Sequence, residues 1–160
     1  MSRSCGRVCM NPRFFARFYA NFLRQSPLIA PMFARRDMAK QRRLLRAGIS
    51  FLLQYAQGND YAALRVGDLA ASHSRNRHNI NPNMYPLWID ALMMTVQEFD
   101  EQFTPDLRNK WVAALRVSIE RMISQYSVFQ RPTVWKAATS SQSISITAAM
   151  TPSGQRLMRR

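Results

Sequence analysis

The sequence is short of histidine, acid and glycine, and each shortage excludes something. Its two histidines, His73 and His78, stand five residues apart in SHSRNRHNINP, residues 72–82. Two rings chelate one metal from a helix face only at a spacing of three or four; a spacing of five turns the second ring roughly 140° away from the first. A paired-histidine metal site on one helix face is therefore excluded. Five glycines in 160 residues disfavour a turn-rich all-β design and favour helices. Two cysteines, Cys5 and Cys9, are too few for a disulfide framework and have no second pair to complete a zinc site, so they read as reduced thiols on a loose end. No apolar run approaches the roughly 18 residues of a membrane span, and the opening MSRSCGRVCMNPRFF has no apolar signal-peptide core, so the expected location is cytoplasmic. Phosphate-cradling glycine loops, paired catalytic carboxylates and Ser/His/Asp groupings do not emerge, which removes hydrolase and kinase chemistry.

Nine acidic residues face 23 cationic ones, a net charge of +14. Residues 1–50 carry 11 Arg and Lys against Asp37 alone, residues 51–100 carry 3 against 5, and residues 101–160 carry 9 against 3. The basic character belongs to the two ends. Such a field attracts nucleic acid, anionic lipid or an acidic protein without choosing among them, and a merely solvated basic surface stands beside those readings.

What is present is helical periodicity. Asn11-Pro12, Asn81-Pro82 and Thr104-Pro105 each set a capping side chain before a proline, predicting three helix starts. From about Pro12 to Gln25, Phe15, Phe18, Tyr19, Phe22 and Leu23 recur at helical spacing, and Pro27 and Pro31 then break the helix in a corner ending at Phe33. A longer helix is predicted from Asp37 to Gln57, with Gln41, Leu44, Leu45, Ile49, Leu52 and Leu53 along one side and Gly48 read as a point of close helix approach. YAALRVGDLAASH gives another helix ending near His73. Tyr85, Trp88, Ile89, Leu92, Val96 and Phe99 define one apolar face, and Trp111, Leu115, Ile119, Met122 and Tyr126 a second, expected to pack as an antiparallel hairpin. The expected organisation is an N-terminal extension over 1–11, one domain over 12–126, and a basic, disordered and flexible tail over 127–160, rich in Ser, Thr and Ala.

FYANFL, SPLIAPMF, DMAKQRRLLRA, LAASHSRNRHNINPNMYPLWIDAL and EFDEQF occur in an order that resembles a bacterial single-domain globin of the flavohaemoglobin-like branch. The resemblance covers roughly residues 12–126. It implies an all-α globin fold, a three-over-three helical sandwich with its first helix absent or reduced to a turn or two, holding haem b. It makes His73 the protein ligand of the haem iron and leaves His78 in a variable loop. On the opposite side of the haem it sets Tyr19, Gln41 and Leu45, where a hydroxyl and an amide can donate hydrogen bonds to a diatomic gas such as dioxygen and a leucine restricts room. Phe33 would wedge against the haem, Trp88, Leu92 and Met93 would form pocket wall, and Tyr85 would help orient the His73 imidazole. Read as bare residues, these are ordinary core side chains and one exposed glutamine. Two departures follow. No Asp or Glu lies beyond Glu120 to polarise the imidazole, and no reductase domain follows Tyr126, so nitric-oxide dioxygenation would need a separate reductase. The competing reading is a haem-free basic helical module that binds nucleic acid or another acidic partner, although the arginines spread over several helix faces and form no recognition helix. A third confines a membrane-surface or partner-binding role to the tail.

Overall fold

The computed structural model describes residues 1–127, and the expected tail falls outside them apart from its first residue. Among these residues the chain forms α1 (Ser2–Cys9), α2 (Phe14–Phe22), α3 (Ala30–Phe33), α4 (Met38–Tyr55), α5 (Asp60–His73), α6 (Met84–Phe99) and α7 (Pro105–Ser124), with no strand. None of these helices is long and apolar enough to cross a membrane.

The helix starts reflect local chemistry. Asp37 accepts from the N–H groups of Ala39 and Lys40 at 2.8 and 3.1 Å, Asn59 from Ala62 at 2.8 Å, and Thr104 from Leu107 at 3.1 Å, each satisfying donors that a helix N-terminus leaves open. The two Asn-Pro pairs act differently from Thr104-Pro105. Asn11 and Asn81 accept from the N–H two residues on, at 2.9 and 3.0 Å, and form turns that precede α2 and α6. Those helices therefore begin at Phe14 and Met84, past the prolines. Pro31 does not break a helix, because it occupies the first turn of α3, where its missing N–H costs nothing.

α2 packs chiefly on α6 and crosses α4, while α4 and α5 pack on each other and on α7. α6 and α7 do meet, but each has a larger partner elsewhere, so the expected hairpin is a minor contact. The core joins Phe14, Phe18, Ile49, Val66, Leu92, Val96, Trp111 and Leu115, all fully buried, and each such aliphatic or aromatic side chain contributes roughly 1.5–3 kcal/mol on leaving water. Polar ties accompany it. Asn21 of α2 donates to Thr95 of α6 at 3.1 Å, and the buried Ser118 hydroxyl of α7 donates to the Leu52 carbonyl of α4 at 2.6 Å.

Three expectations need correction. Residues 1–11 are not a loose extension: α1, an eight-residue helix of about two turns, buries Ser4 and Val8 one turn apart on a single face. Its anchor is Asp100, whose buried carboxylate accepts from Ser4 and receives both Arg7 Nε and Nη2 at 2.9 Å, while Trp111 Nε1 donates to Ser4 Oγ at 3.0 Å. Leu44, expected on the inner side of α4, is exposed. Gly48 marks no close approach, since a Cβ there would meet nothing within 4 Å. Gly48→Ala is accordingly expected to stabilise the fold by about 0.5–1 kcal/mol by lowering the entropy of the unfolded chain, read as a raised thermal midpoint; a lowered midpoint would show a backbone demand at this position.

Candidate cofactor site

α5 ends at His73, and the end of the helix sets the ring. Four residues is one helical turn, so the His73 imidazole lies over its own helix, with Nδ1 2.9 Å from the Leu69 carbonyl oxygen and 2.9 Å from Ser72 Oγ. The Ser72 hydroxyl itself donates to the Leu69 carbonyl at 2.9 Å. A carbonyl can only accept, so the ring proton sits on Nδ1, and Nε2 carries the lone pair without a hydrogen-bond partner among the described residues. Burial, with a smaller contribution from the nearby His78, holds His73 below the usual histidine range despite the opposing hydrogen bond to Leu69. The ring is thus neutral at neutral pH, the form that ligates metals.

The segment that follows folds back on this ring. Ile80 N–H donates to the His73 carbonyl at 3.0 Å, and His78 N–H to that of Ser72 at 3.1 Å. Asn79 adopts a left-handed conformation with φ 50°, which asparagine tolerates better than most residues. Tyr126, just past α7, clamps the loop. Its hydroxyl donates to Asn79 Oδ1 at 2.6 Å, its carbonyl accepts from Arg75 N–H at 3.1 Å, and the Arg75 guanidinium lies 5.9 Å from its ring centroid. His78 points into solvent. Tyr126 was legible only as an apolar position of α7, and no sequence signal marks it as a loop clamp.

A second group forms where α2, α3 and α4 meet. The Tyr19 ring is buried and lies 5.5 Å from that of Phe33, and its hydroxyl donates to the backbone carbonyl of Gln41 at 3.2 Å. Burial pushes the Tyr19 hydroxyl up to about 12, against the opposing charge of Arg42, so it remains a proton donor at neutral pH. Gln41 is half-buried, its side-chain amide has no partner among the described residues, and Leu45 is buried one turn further along α4. On α6, Trp88 meets Phe18 edge-on at 5.8 Å, while Leu92 and Met93 are buried.

Tyr19 therefore touches both Phe33 and Gln41, with Leu45 one turn beyond Gln41, whereas no hydrogen bond or ring contact among the described residues ties His73 to them. Tyr85 is buried, and burial, followed by the neighbouring Tyr126, pushes its hydroxyl up to about 12. It makes no hydrogen bond to His73, however. The groups hydrogen-bonded to the imidazole are the Leu69 carbonyl and Ser72.

An all-α domain with one imidazole held by its own helix, its Nε2 unpaired, and a separate apolar group carrying a tyrosine hydroxyl defines the class of architecture. Among solved structures the chain is similar to a protein from Pseudomonas aeruginosa, described as structurally highly homologous to a human hemoglobin, with a TM-score of 0.74 and 40% sequence identity over 79% of this chain and 95% of that one. No protein-family model matches the sequence, and no curated protein matches it either. The chain belongs to the globin family, and its fold is the all-α globin fold that the sequence resemblance implied.

Proposed function

We propose that this globin binds haem b through His73 and uses it to bind dioxygen or another diatomic gas reversibly. The observation that carries the reading is the His73 ring itself, with its proton committed to the Leu69 carbonyl through Nδ1 and its Nε2 lone pair unpaired. The donor chemistry fits the group. Among the described residues no three metal-ligating His, Cys, Asp or Glu side chains stand together, so a bare ion at His73 would have at most two such protein ligands, whereas a porphyrin brings four nitrogens of its own. Haem, when bound, would supply an iron centre able to hold a diatomic gas.

The remaining work falls to side chains. Tyr19 and Gln41 donate hydrogen bonds toward the gas and Leu45 limits the room around it. Phe33, Tyr85, Trp88 and Leu92 present apolar surface to a flat, apolar macrocycle. The finer reading places the chain in the flavohaemoglobin-like branch, with nitric-oxide dioxygenation fed by an external reductase, or redox or gas sensing, as the use made of binding. The absence of Asp and Glu beyond Glu120 weighs against a strongly polarised imidazole and so toward binding rather than O–O bond chemistry. A visible spectrum of the protein as purified tests the proposal: a Soret band retained through gel filtration is expected, and a colourless protein that takes up no added haemin overturns it.

Tyr19 carries the gas-handling part. Its bond to the Gln41 carbonyl, at 3.2 Å, is long for an O–H donor, so the hydroxyl can turn toward a ligand at little cost. Tyr19→Phe removes one donor with almost no change in volume, and a net bond of about 0.5–1.5 kcal/mol corresponds to a roughly two- to twelvefold faster release of dioxygen. Carbon monoxide, a poorer hydrogen-bond acceptor, should change far less. Flash photolysis and stopped-flow measurement of both off-rates check this, and an unchanged dioxygen off-rate would make Tyr19 a packing residue.

A further inference from the structure

Cys5 and Cys9 lie one turn apart on α1, half-buried and unbridged, with their sulfurs 3.3 Å from each other. Cys9 also lines a cavity of about 340 Å³ between the α1–α2 corner and α4, within the size range of small-molecule sites. Its other walls include Pro12 and Phe15, which are apolar or aromatic, and three arginines of α4: Arg42, Arg43 and Arg46. None of these guanidiniums pairs with a carboxylate among the described residues, and Arg46 makes only a weak contact, 3.4 Å, to the Met10 sulfur. By helical rotation Arg42 and Arg46 are turned roughly 100° from Gln41 and Leu45, so the cavity lies on a different face of α4 from the site around Tyr19, which only the charge of Arg42 reaches.

We infer that Cys5 and Cys9 form a thiol–disulfide exchange site whose arginine-lined cavity selects small disulfides carrying carboxylates. Three unpaired guanidiniums suit carboxylates, the apolar wall suits a short carbon chain, and a sulfur stands at the edge where the disulfide of such a ligand would arrive. The two sulfurs share protons: Cys5 is pushed down chiefly by its hydrogen bond from Cys9, against burial, with Arg46 helping, whereas that same bond and burial push Cys9 up. The pair reacts after Cys5 has lost its proton to solvent, so that one proton remains between the two sulfurs: as Cys9 attacks, that proton passes from Cys9 to the Cys5 thiolate across the 3.3 Å contact. The new bond joins Cys9 to the nearer ligand sulfur, the ligand S–S bond breaks, and its electron pair leaves on the departing thiolate, which takes a proton from water. Cys5 then loses its proton to solvent and attacks Cys9, expelling the second ligand thiolate, which is protonated in turn. Two protein thiols are oxidised to one disulfide and one ligand disulfide is reduced to two thiols. The last step requires the C-terminal turn of α1 to distort, because a disulfide brings its Cβ atoms to about 3.8 Å, closer than an undistorted helix turn allows.

These are the only cysteines in the chain, so every thiol modification reports on this pair. The reduced protein as purified is incubated separately with oxidised glutathione, an anionic disulfide, and with cystamine, a cationic one, followed by intact-mass measurement and peptide mapping. Oxidised glutathione is expected to react faster by on the order of tenfold, giving a Cys9 mixed disulfide or a Cys5–Cys9 bridge. The preference should fall in Arg42→Gln/Arg46→Gln and persist in Arg116→Gln, which removes a charge from an exposed position on α7 and so separates the cavity from the overall positive field. Equal rates for the two reagents in the unmodified protein overturn the proposal, as does no reaction with either. A loss of preference in Arg116→Gln as large as in the α4 variant overturns it too. The comparison of reagents on the unmodified protein needs no variant to fold.

Discussion

Replacing His73 with alanine is expected to strip the protein of haem, with an affinity loss at least as large as the roughly 10- to 100-fold that removal of a mere hydrogen-bonding partner costs a metal ligand. His78→Ala should leave the spectrum unchanged, because that ring is exposed in the loop beyond the helix. The contrast isolates one of two histidines only five residues apart, and haem content by absorbance after gel filtration measures it. His73→Gly adds a check that does not depend on stability, since free imidazole should restore the Soret band by occupying the vacated space. A His78→Ala protein that loses haem while His73→Ala keeps it would place the ligand on the wrong side of the turn. Ser72→Ala should have a smaller effect than either His73 variant, because the Leu69 carbonyl still holds Nδ1.

The second large effect concerns Asp100. Asp100→Ala removes the acceptor that Ser4 and Arg7 share and leaves the Arg7 guanidinium without its carboxylate, which is expected to cost about 3 kcal/mol, the lower end for breaking a buried pair because Arg7 is 37% exposed. The loss should appear as undocking of α1, seen as faster amide exchange over residues 2–9, ahead of global unfolding. Acid supplies an independent axis. Burial opposes ionisation of Asp100, yet the hydrogen bonds from Ser4, Arg7 and the Gln102 N–H outweigh it and hold the carboxyl below its ordinary value of 3.8. A lowered carboxylate contributes its stability fully above that ordinary value and loses it as pH falls through the folded-state one. The gap between wild type and Asp100→Ala in thermal midpoint should therefore be constant near neutrality and narrow only below about pH 4. A gap that stays constant down to pH 2 would mean that the carboxylate charge does not hold α1.

The parts of this molecule that could be read from sequence are those that repeat or cap. Asp37 opens α4 and Thr104-Pro105 announces α7, and the apolar faces of α6 and α7 have a helical period. α1 escaped because its apolar face is short, Cys5, Val8 and Cys9 alone in SRSCGRVC, and is completed by buried polar bonds to residues about a hundred positions away, which no local pattern can express. The candidate site divides in the same way. His73 and its Leu69 partner follow from one turn of helix, but which of Tyr19's possible acceptors is used depends on the backbone of another helix. The Tyr126 clamp and the arginine cavity arise from segments brought together only by the fold. Gly48 shows the opposite error, where a residue with a ready structural explanation turns out to have open space beside it.

The anchor of α1 also has a consequence for the order in which the chain assembles. Ser4 is made first, but its partners Asp100 and Trp111 follow 96 and 107 residues later. At roughly 5–20 residues per second, synthesis leaves the first helix without its dock for about 5 to 20 seconds. During that interval Val8 and both cysteine sulfurs are uncovered, and closing so long a loop is among the slower contacts a small helical domain must make. The newborn chain thus offers its thiols to the surrounding medium before the α6–α7 corner exists to draw α1 into the core.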